Sequence, residues 1–246
     1  MDRENSVRMF YQALMTAWGP QDWWPAHTRF EVIVGAFLTQ NTAWTNVERA
    51  LRQLRREGVL NLDGIRRTAL SQLAQMIRSS GYFRQKAQRL KNFVSYLDAR
   101  YQGSLERMFA QPTDKLREEL LALNGVGPET ADSILLYAGG HSVFVVDAYT
   151  RRIFERHRLI TAKARYEDLR QLVERAFEPA LPPDSHQPPV SPLSDRRRHK
   201  FLIRRAAPAA RVFDELHALL VQTAKHHCLK TSAKCSGCPL EKFLEK

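Results

Sequence analysis

Apolar side chains recur along most of this chain at intervals of three and four residues, the spacing that lines one face of a helix. Phe30, Ile33, Val34, Phe37 and Leu38 form one such stripe, and Val47, Ala50, Leu51 and Leu54 the next. Leu70, Leu73 and Ile77 continue the series, followed by Ala87, Leu90, Phe93, Val94 and Leu97, and then by Leu116, Leu120, Leu121 and Leu123. Gly81, Gly103 and Pro112 punctuate it. The pattern resumes at Val212, Leu216, Leu219 and Leu220. Strand-like alternation is nearly absent, so the spacing predicts an all-α protein of about ten helices.

One stretch interrupts the stripes. Pro179, Pro182, Pro183, Pro188, Pro189 and Pro192 are half of the chain's 12 prolines, and Arg196, Arg197, Arg198, His199, Lys200, Arg204 and Arg205 follow them. Proline removes helical donors and fixes the backbone, so 179–211 is expected to be an exposed or disordered insertion. Its basic run either grips phosphates or is a solvated charge cluster. With 246 residues, 43% of them hydrophobic, the chain can bury a real core, which excludes wholesale disorder. The 38 Lys and Arg against 26 Asp and Glu leave a net charge of +12, which points to a polyanionic partner. No uncharged apolar run is long enough to span a membrane, and no apolar segment follows Met1-Asp2-Arg3-Glu4. A monomer without membrane partners is expected, with the cytoplasm as its default address.

Chemistry enters at Leu120-Leu121-Ala122-Leu123-Asn124-Gly125-Val126-Gly127-Pro128-Glu129-Thr130-Ala131-Asp132. A helix ends, Gly125 and Gly127 allow a tight turn, and Pro128 opens a second helix at a first helical position. The first amides of that second helix have no partners within it and carry the positive end of its dipole, an arrangement suited to one phosphate. Twenty residues after Gly127, the apolar run Val143-Phe144-Val145-Val146 leads into Asp147-Ala148-Tyr149-Thr150. Asp147 is either a helix N-cap or a working carboxylate. The three cysteines, Cys228, Cys235 and Cys238, are too few for a disulfide framework, and their crowding suggests a shared ligand.

Together these residues resemble the helix-hairpin-helix, Gly/Pro-rich-loop-plus-Asp signature of the endonuclease III superfamily of DNA glycosylases. Ala36-Phe37-Leu38-Thr39-Gln40-Asn41-Thr42 resembles that family's Gln-containing turn, and Gly81-Tyr82-Phe83-Arg84-Gln85-Lys86-Ala87 its Gly-x4-Lys-Ala motif. The resemblance implies a two-lobed fold. A six-helix lobe would span 26–145, with the hairpin at about 116–137, and 1–25 plus 146–246 would form the second, Cys-rich lobe. It further implies a double-stranded DNA partner containing a damaged base. Contacts to it would come from Gln40, Asn41, Gly125, Val126, Gly127 and Thr130, with Gln40 or Asn41 filling the gap left by a flipped base. Helix capping is the alternative for Asn41.

The same resemblance makes Asp147 the catalytic carboxylate. Relatives that also nick the strand carry Lys where this chain has Glu129, so a monofunctional glycosylase is implied. Glu129 is then an acid/base helper or a carboxylate favoured by the first turn of a helix. The Trp23-Trp24-Pro25 cluster and Trp44 look most like the base pocket of endonuclease III-type 3-methyladenine glycosylases, whose aromatic walls would stack on a cationic alkylated base. An endonuclease III-like glycosylase/AP lyase for oxidised or mismatched bases, and a non-catalytic DNA-binding relative, are the competing readings. Cys228-x6-Cys235-x2-Cys238 matches three positions of the family's iron–sulfur cluster, but Leu244 stands where the fourth Cys is expected. Three options follow: a cluster with a non-Cys ligand, zinc with His226 or His227, or a tail that folds without metal.

Overall fold

The computed structural model describes residues 2–21, 26–178 and 206–244. Most of the segment expected to be an insertion, 179–205, lies outside them. The described residues are all-α and form two compact units. They hold no strand, only an isolated antiparallel bridge between Cys228 and Ala233. None of their helices is long and apolar enough to cross a membrane.

The first unit takes residues 26–140. Its central element is α2 (Arg29–Thr39), which Thr28 opens by accepting a hydrogen bond from the Glu31 amide at 3.1 Å. Phe30 to Leu38 are all buried, Glu31 among them with its carboxylate paired to Arg55 at 3.0 Å, so this helix needs cover on every side. The cover comes from α3 (Trp44–Arg56), α6 (Phe83–Tyr101) and the turn-and-helix segment after the hairpin. Three short helices, α4 (Leu62–Arg67), α5 (Leu70–Met76) and α7 (Leu105–Phe109), fill the gaps between the long ones. The hairpin is α8 (Thr113–Leu121) followed by α9 (Pro128–Ser133), which runs on as a π-helical stretch over Ile134–Gly139.

The second unit takes 2–21, 141–178 and 206–244. Here α1 (Arg3–Trp18) packs on α11 (Tyr166–Phe177) and α12 (Pro208–His226), and α12 also covers α10 (Ala148–Arg156). Phe10, Leu14, Phe154, Leu169, Val173, Phe213 and Leu216 form its core, each contributing about 1.5–3 kcal/mol by leaving water. Most stripe positions read from the sequence are buried. Leu70 is not: as the first residue of the short α5 it projects from the helix end and is 42% exposed.

Candidate active site and DNA interface

A buried ion pair holds the hairpin in shape. Arg117 on α8 donates from Nε and Nη2 to the two carboxylate oxygens of Asp132 at 2.7 and 3.1 Å, and the Asp132 side chain is fully buried. Between the helices Gly125 has φ +80°, and any Cβ there would collide with the Arg89 guanidinium. Val126 tucks inward, whereas Gly127, Pro128 and Glu129 are exposed. Gly127 is the N-cap of α9 and makes no side-chain cap bond, and the first turn of the helix, at the positive end of its dipole, lies at the exposed surface. Glu129 occupies the first turn of α9, where the helix dipole favours a carboxylate.

Gln40 ends α2 and is tied to this hairpin. Its Nε2 donates to the Gly125 carbonyl at 2.9 Å and to Thr130 Oγ1 at 3.0 Å, while its Oε1 accepts from Arg89 Nη1 at 2.5 Å. Both ends of the amide are therefore engaged within the unit, and the Thr130 hydroxyl faces Gln40. Asn41 is exposed at φ +52°, directly after Gln40, the C-cap of α2, a left-handed position at a helix end that Asn tolerates. Trp44 is half-buried at the start of α3, its indole N–H donating to Glu48 at 2.9 Å. Lys86 of the Gly-x4-Lys-Ala motif is buried, and its ammonium donates to the Leu38 and Ser80 carbonyls at 2.8 and 2.6 Å. Burial, reinforced by Arg89, lowers its pKa to about 8. Trp23, Trp24 and Pro25 lie outside the described residues.

Asp147 belongs to the second unit. The run before it is buried and extended, pinned by bonds from the Phe144 amide to Glu174 Oε1 (3.0 Å) and from the Val146 amide to the Tyr166 hydroxyl (3.2 Å). Asp147 caps α10: its Oδ1 accepts from the Thr150 amide at 2.7 Å. Its Oδ2 lies 3.4 Å from Nε2 of His217 on α12, and only 13% of the Asp147 side chain is exposed. Burial pushes this carboxyl's pKa up, but His217 and the Thr150 amide outweigh it and hold the group below its ordinary value. The side chain is thus an ionised carboxylate in a largely dry setting, suited to stabilising positive charge or taking a proton from water.

Cys228, Cys235 and Cys238 are free thiols lining one pocket with His227, Glu241 and Leu244. Burial raises the Cys238 pKa, and Arg156 donates to Cys228 Sγ at 3.1 Å. His227 faces the Lys234 carbonyl, with Nδ1 3.2 Å from its oxygen, and exposed His226 lies against Trp18. Among the described residues no group of three His, Cys, Asp or Glu is arranged to hold a metal ion. With Leu244 in the fourth place, these residues do not fit a four-thiolate cluster.

The model of the HhH-GPD superfamily of base excision DNA repair proteins matches residues 34–179, more than half of the chain and including both the hairpin and Asp147. The chain belongs to that superfamily. Within it, a Methanocaldococcus jannaschii protein assigned as a DNA repair glycosylase is 40% identical over 246 residues, covering 98% of both chains. The structure of the H. pylori 3-methyladenine DNA glycosylase bound to 1,N6-ethenoadenine superposes with a TM-score of 0.70 at 28% identity, over 92% of this chain and 98% of that one. An endonuclease III–DNA complex gives a TM-score of 0.72 at 20% identity over 100% of this chain and 96% of that one, a likeness of fold. This HhH-GPD chain is therefore a member of a base excision repair DNA glycosylase family with an all-α endonuclease III-like fold. Endonuclease III relatives often carry an iron–sulfur cluster.

The sequence reading did not single out His217, Arg89, Arg117 or Asp132 as partners of the site. His217 left one usable trace. It stands beside Leu216 and two residues before Leu219, a titratable side chain within an otherwise apolar stripe.

Proposed function

We propose that this chain is a monofunctional DNA glycosylase that removes alkylated purines such as 3-methyladenine from double-stranded DNA. The observation that carries the reading is the pairing of an ionised, buried Asp147 with an exposed Glu129 at the hairpin position where strand-nicking relatives carry Lys. A carboxylate cannot form an imine with the sugar. Lys86, whose lowered pKa would otherwise suit a nucleophile, has its amine committed to two backbone carbonyls inside the first unit.

Exposed amides at Gly127 and the start of α9 take a backbone phosphate, which positions the protein without reading sequence. The target base leaves the stack, and Asn41, exposed where Gln40 is tied down, fills the gap. Trp44 supplies aromatic surface that favours a cationic base; the other pocket candidates, Trp23, Trp24 and Pro25, lie outside the described residues. As the N-glycosidic bond breaks, its electron pair stays with the base, and an alkylated cationic base departs neutral without further protonation. Asp147 stabilises the positive sugar. The oxygen of a water molecule then bonds to the anomeric carbon, its proton passes to Asp147 and solvent, and an intact abasic site remains. Cys228, Cys235 and Cys238 take no part in these steps, and any iron–sulfur group on them would need a fourth ligand other than Leu244.

The test is incubation with methylated duplex DNA, with released bases identified by chromatography and strands resolved with and without alkali. Release of 3-methyladenine with breaks only after alkali is expected, and Asp147→Asn should abolish release while leaving DNA affinity within a few-fold. Breaks without alkali would instead identify a lyase. DNA binding without release of any base would identify a non-catalytic relative, and full activity in Asp147→Asn would remove the carboxylate from the mechanism.

A further inference from the structure

α12 is a core helix: Leu216, Ala218, Leu219, Leu220 and Val221 are all buried. His217 lies among them, only 4% exposed, with Phe144 edge-on to its ring at a centroid distance of 6.4 Å. An imidazole carried into such surroundings costs stability unless its nitrogens meet polar partners, and Nε2 faces Asp147 Oδ2 at 3.4 Å. The cap of α10 does not require this contact. The cap bond itself is from the Thr150 amide to Oδ1, at 2.7 Å, and His217 addresses the other carboxylate oxygen.

We infer that His217 is a positioning residue for the glycosylase reaction, holding the second oxygen of Asp147 in one orientation and sustaining its charge as the glycosidic bond breaks. The assignment rests on the reading of Asp147 as the catalytic carboxylate. Two independent elements address the two oxygens: the first turn of α10 holds Oδ1 by a 2.7 Å hydrogen bond, and His217 on α12, 70 residues further along the sequence, brings Nε2 to ion-pair distance, 3.4 Å, from Oδ2. A carboxylate gripped at one oxygen only can rotate about its terminal bond, whereas one gripped at both is preorganised for the charge that develops beside it. The depressed pKa of Asp147 agrees with this, because burial alone would raise it and His217 is the foremost group opposing burial.

Single-turnover excision of 3-methyladenine at saturating enzyme, duplex affinity and thermal melting should be measured for His217→Leu, His217→Gln, Asp147→Asn and the His217→Leu/Asp147→Asn double variant. Leu should slow excision about ten- to hundredfold, the worth of a hydrogen bond to a charged group, with affinity and melting close to those of the parent. Gln can place an amide nitrogen near the Nε2 position and should recover most of the rate. Against an Asp147→Asn background, the Leu substitution should cost nothing more, since the group it positions is gone. If Leu does not fold, His217→Asn, whose shorter amide falls short of Oδ2, takes its place.

A parental rate in the Leu variant, while Asp147→Asn is inactive, would overturn the role of His217 and leave the reading of Asp147 standing. Activity in Asp147→Asn would overturn that reading and the inference with it. A rate loss that Gln fails to relieve and that follows a fall in melting temperature would reduce His217 to a packing residue.

Discussion

Gly125 and Gly127 stand two residues apart in one turn and answer to different constraints. Gly125 needs to be glycine for the protein's own sake, because its φ is +80° and a Cβ would strike Arg89. Gly127 has φ −95° and ψ 175°, extended backbone that any residue adopts, and a Cβ there would meet nothing within 4 Å. The fold does not demand glycine at 127; a phosphate brought close to the backbone there, as proposed, would. Gly127→Ala should therefore melt with the parent and bind both damaged and undamaged duplexes more weakly, by a similar factor. Gly125→Ala should lower stability by about 1–2 kcal/mol from the left-handed backbone alone, and more from the collision. Melting curves and affinities for two duplexes check both, and undiminished binding by Gly127→Ala would place the phosphate elsewhere. The sequence marked both glycines as one motif, and only the dihedral angles separate their duties.

The two helices of the hairpin are joined as elements by a single buried pair. Arg117 and Asp132 lie 15 residues apart, one on each side of the turn, with side-chain exposures of 14% and 0%. Breaking a buried ion pair by removing one partner costs up to about 3–5 kcal/mol. Asp132→Ala should lower the melting temperature sharply and weaken DNA binding, because α8 and α9 would no longer hold the turn between them. If the variant melts with the parent, the pair does not organise the hairpin. Elements of this molecule were legible in the sequence to very different degrees. The stripes of α2, α3, α6 and α12 announce themselves because each of these helices buries a continuous face over three or more turns. The short α4 and α7, of 6 and 5 residues, complete less than two turns, too little to repeat a stripe, and the capping residues Asn61 and Ser104 define their starts instead. Partnerships such as Arg117 with Asp132, Arg89 with Gln40 and His217 with Asp147 carry no local signature, since their members are separated by 15, 49 and 70 positions and meet only through packing. Asp147 was legible as a cap and as a catalytic candidate; the fold shows the cap, made by one carboxylate oxygen, and the catalytic role is the one proposed for it.

For the whole molecule, the net charge of +12 and the buried carboxylate predict two different responses to salt. Binding a duplex releases counterions from every phosphate that the basic surface neutralises, so affinity should fall steeply with ionic strength, with a logarithmic slope of roughly −0.9 per phosphate contacted. Gly127→Ala should make that slope shallower if it loses one such contact, whereas Asp147→Asn should leave it unchanged, because a carboxylate with 13% of its side chain exposed and facing His217 is no phosphate ligand. The bond-breaking step depends on a different field. With 13% of its side chain exposed, Asp147 as the proposed catalytic carboxylate would act through a poorly screened path, since mobile ions whose screening length is about 8–10 Å in ordinary buffers have little access to it. Single-turnover excision at saturating enzyme should therefore vary little between about 50 and 200 mM salt, a range over which affinity falls by orders of magnitude. Measuring both quantities on the same methylated duplex separates the positioning charge of the surface from the chemical charge at Asp147. A rate that fell in parallel with affinity, with the enzyme held saturating at each salt concentration, would mean that the catalytic charge is exposed to solvent and that Asp147 does not carry the reaction.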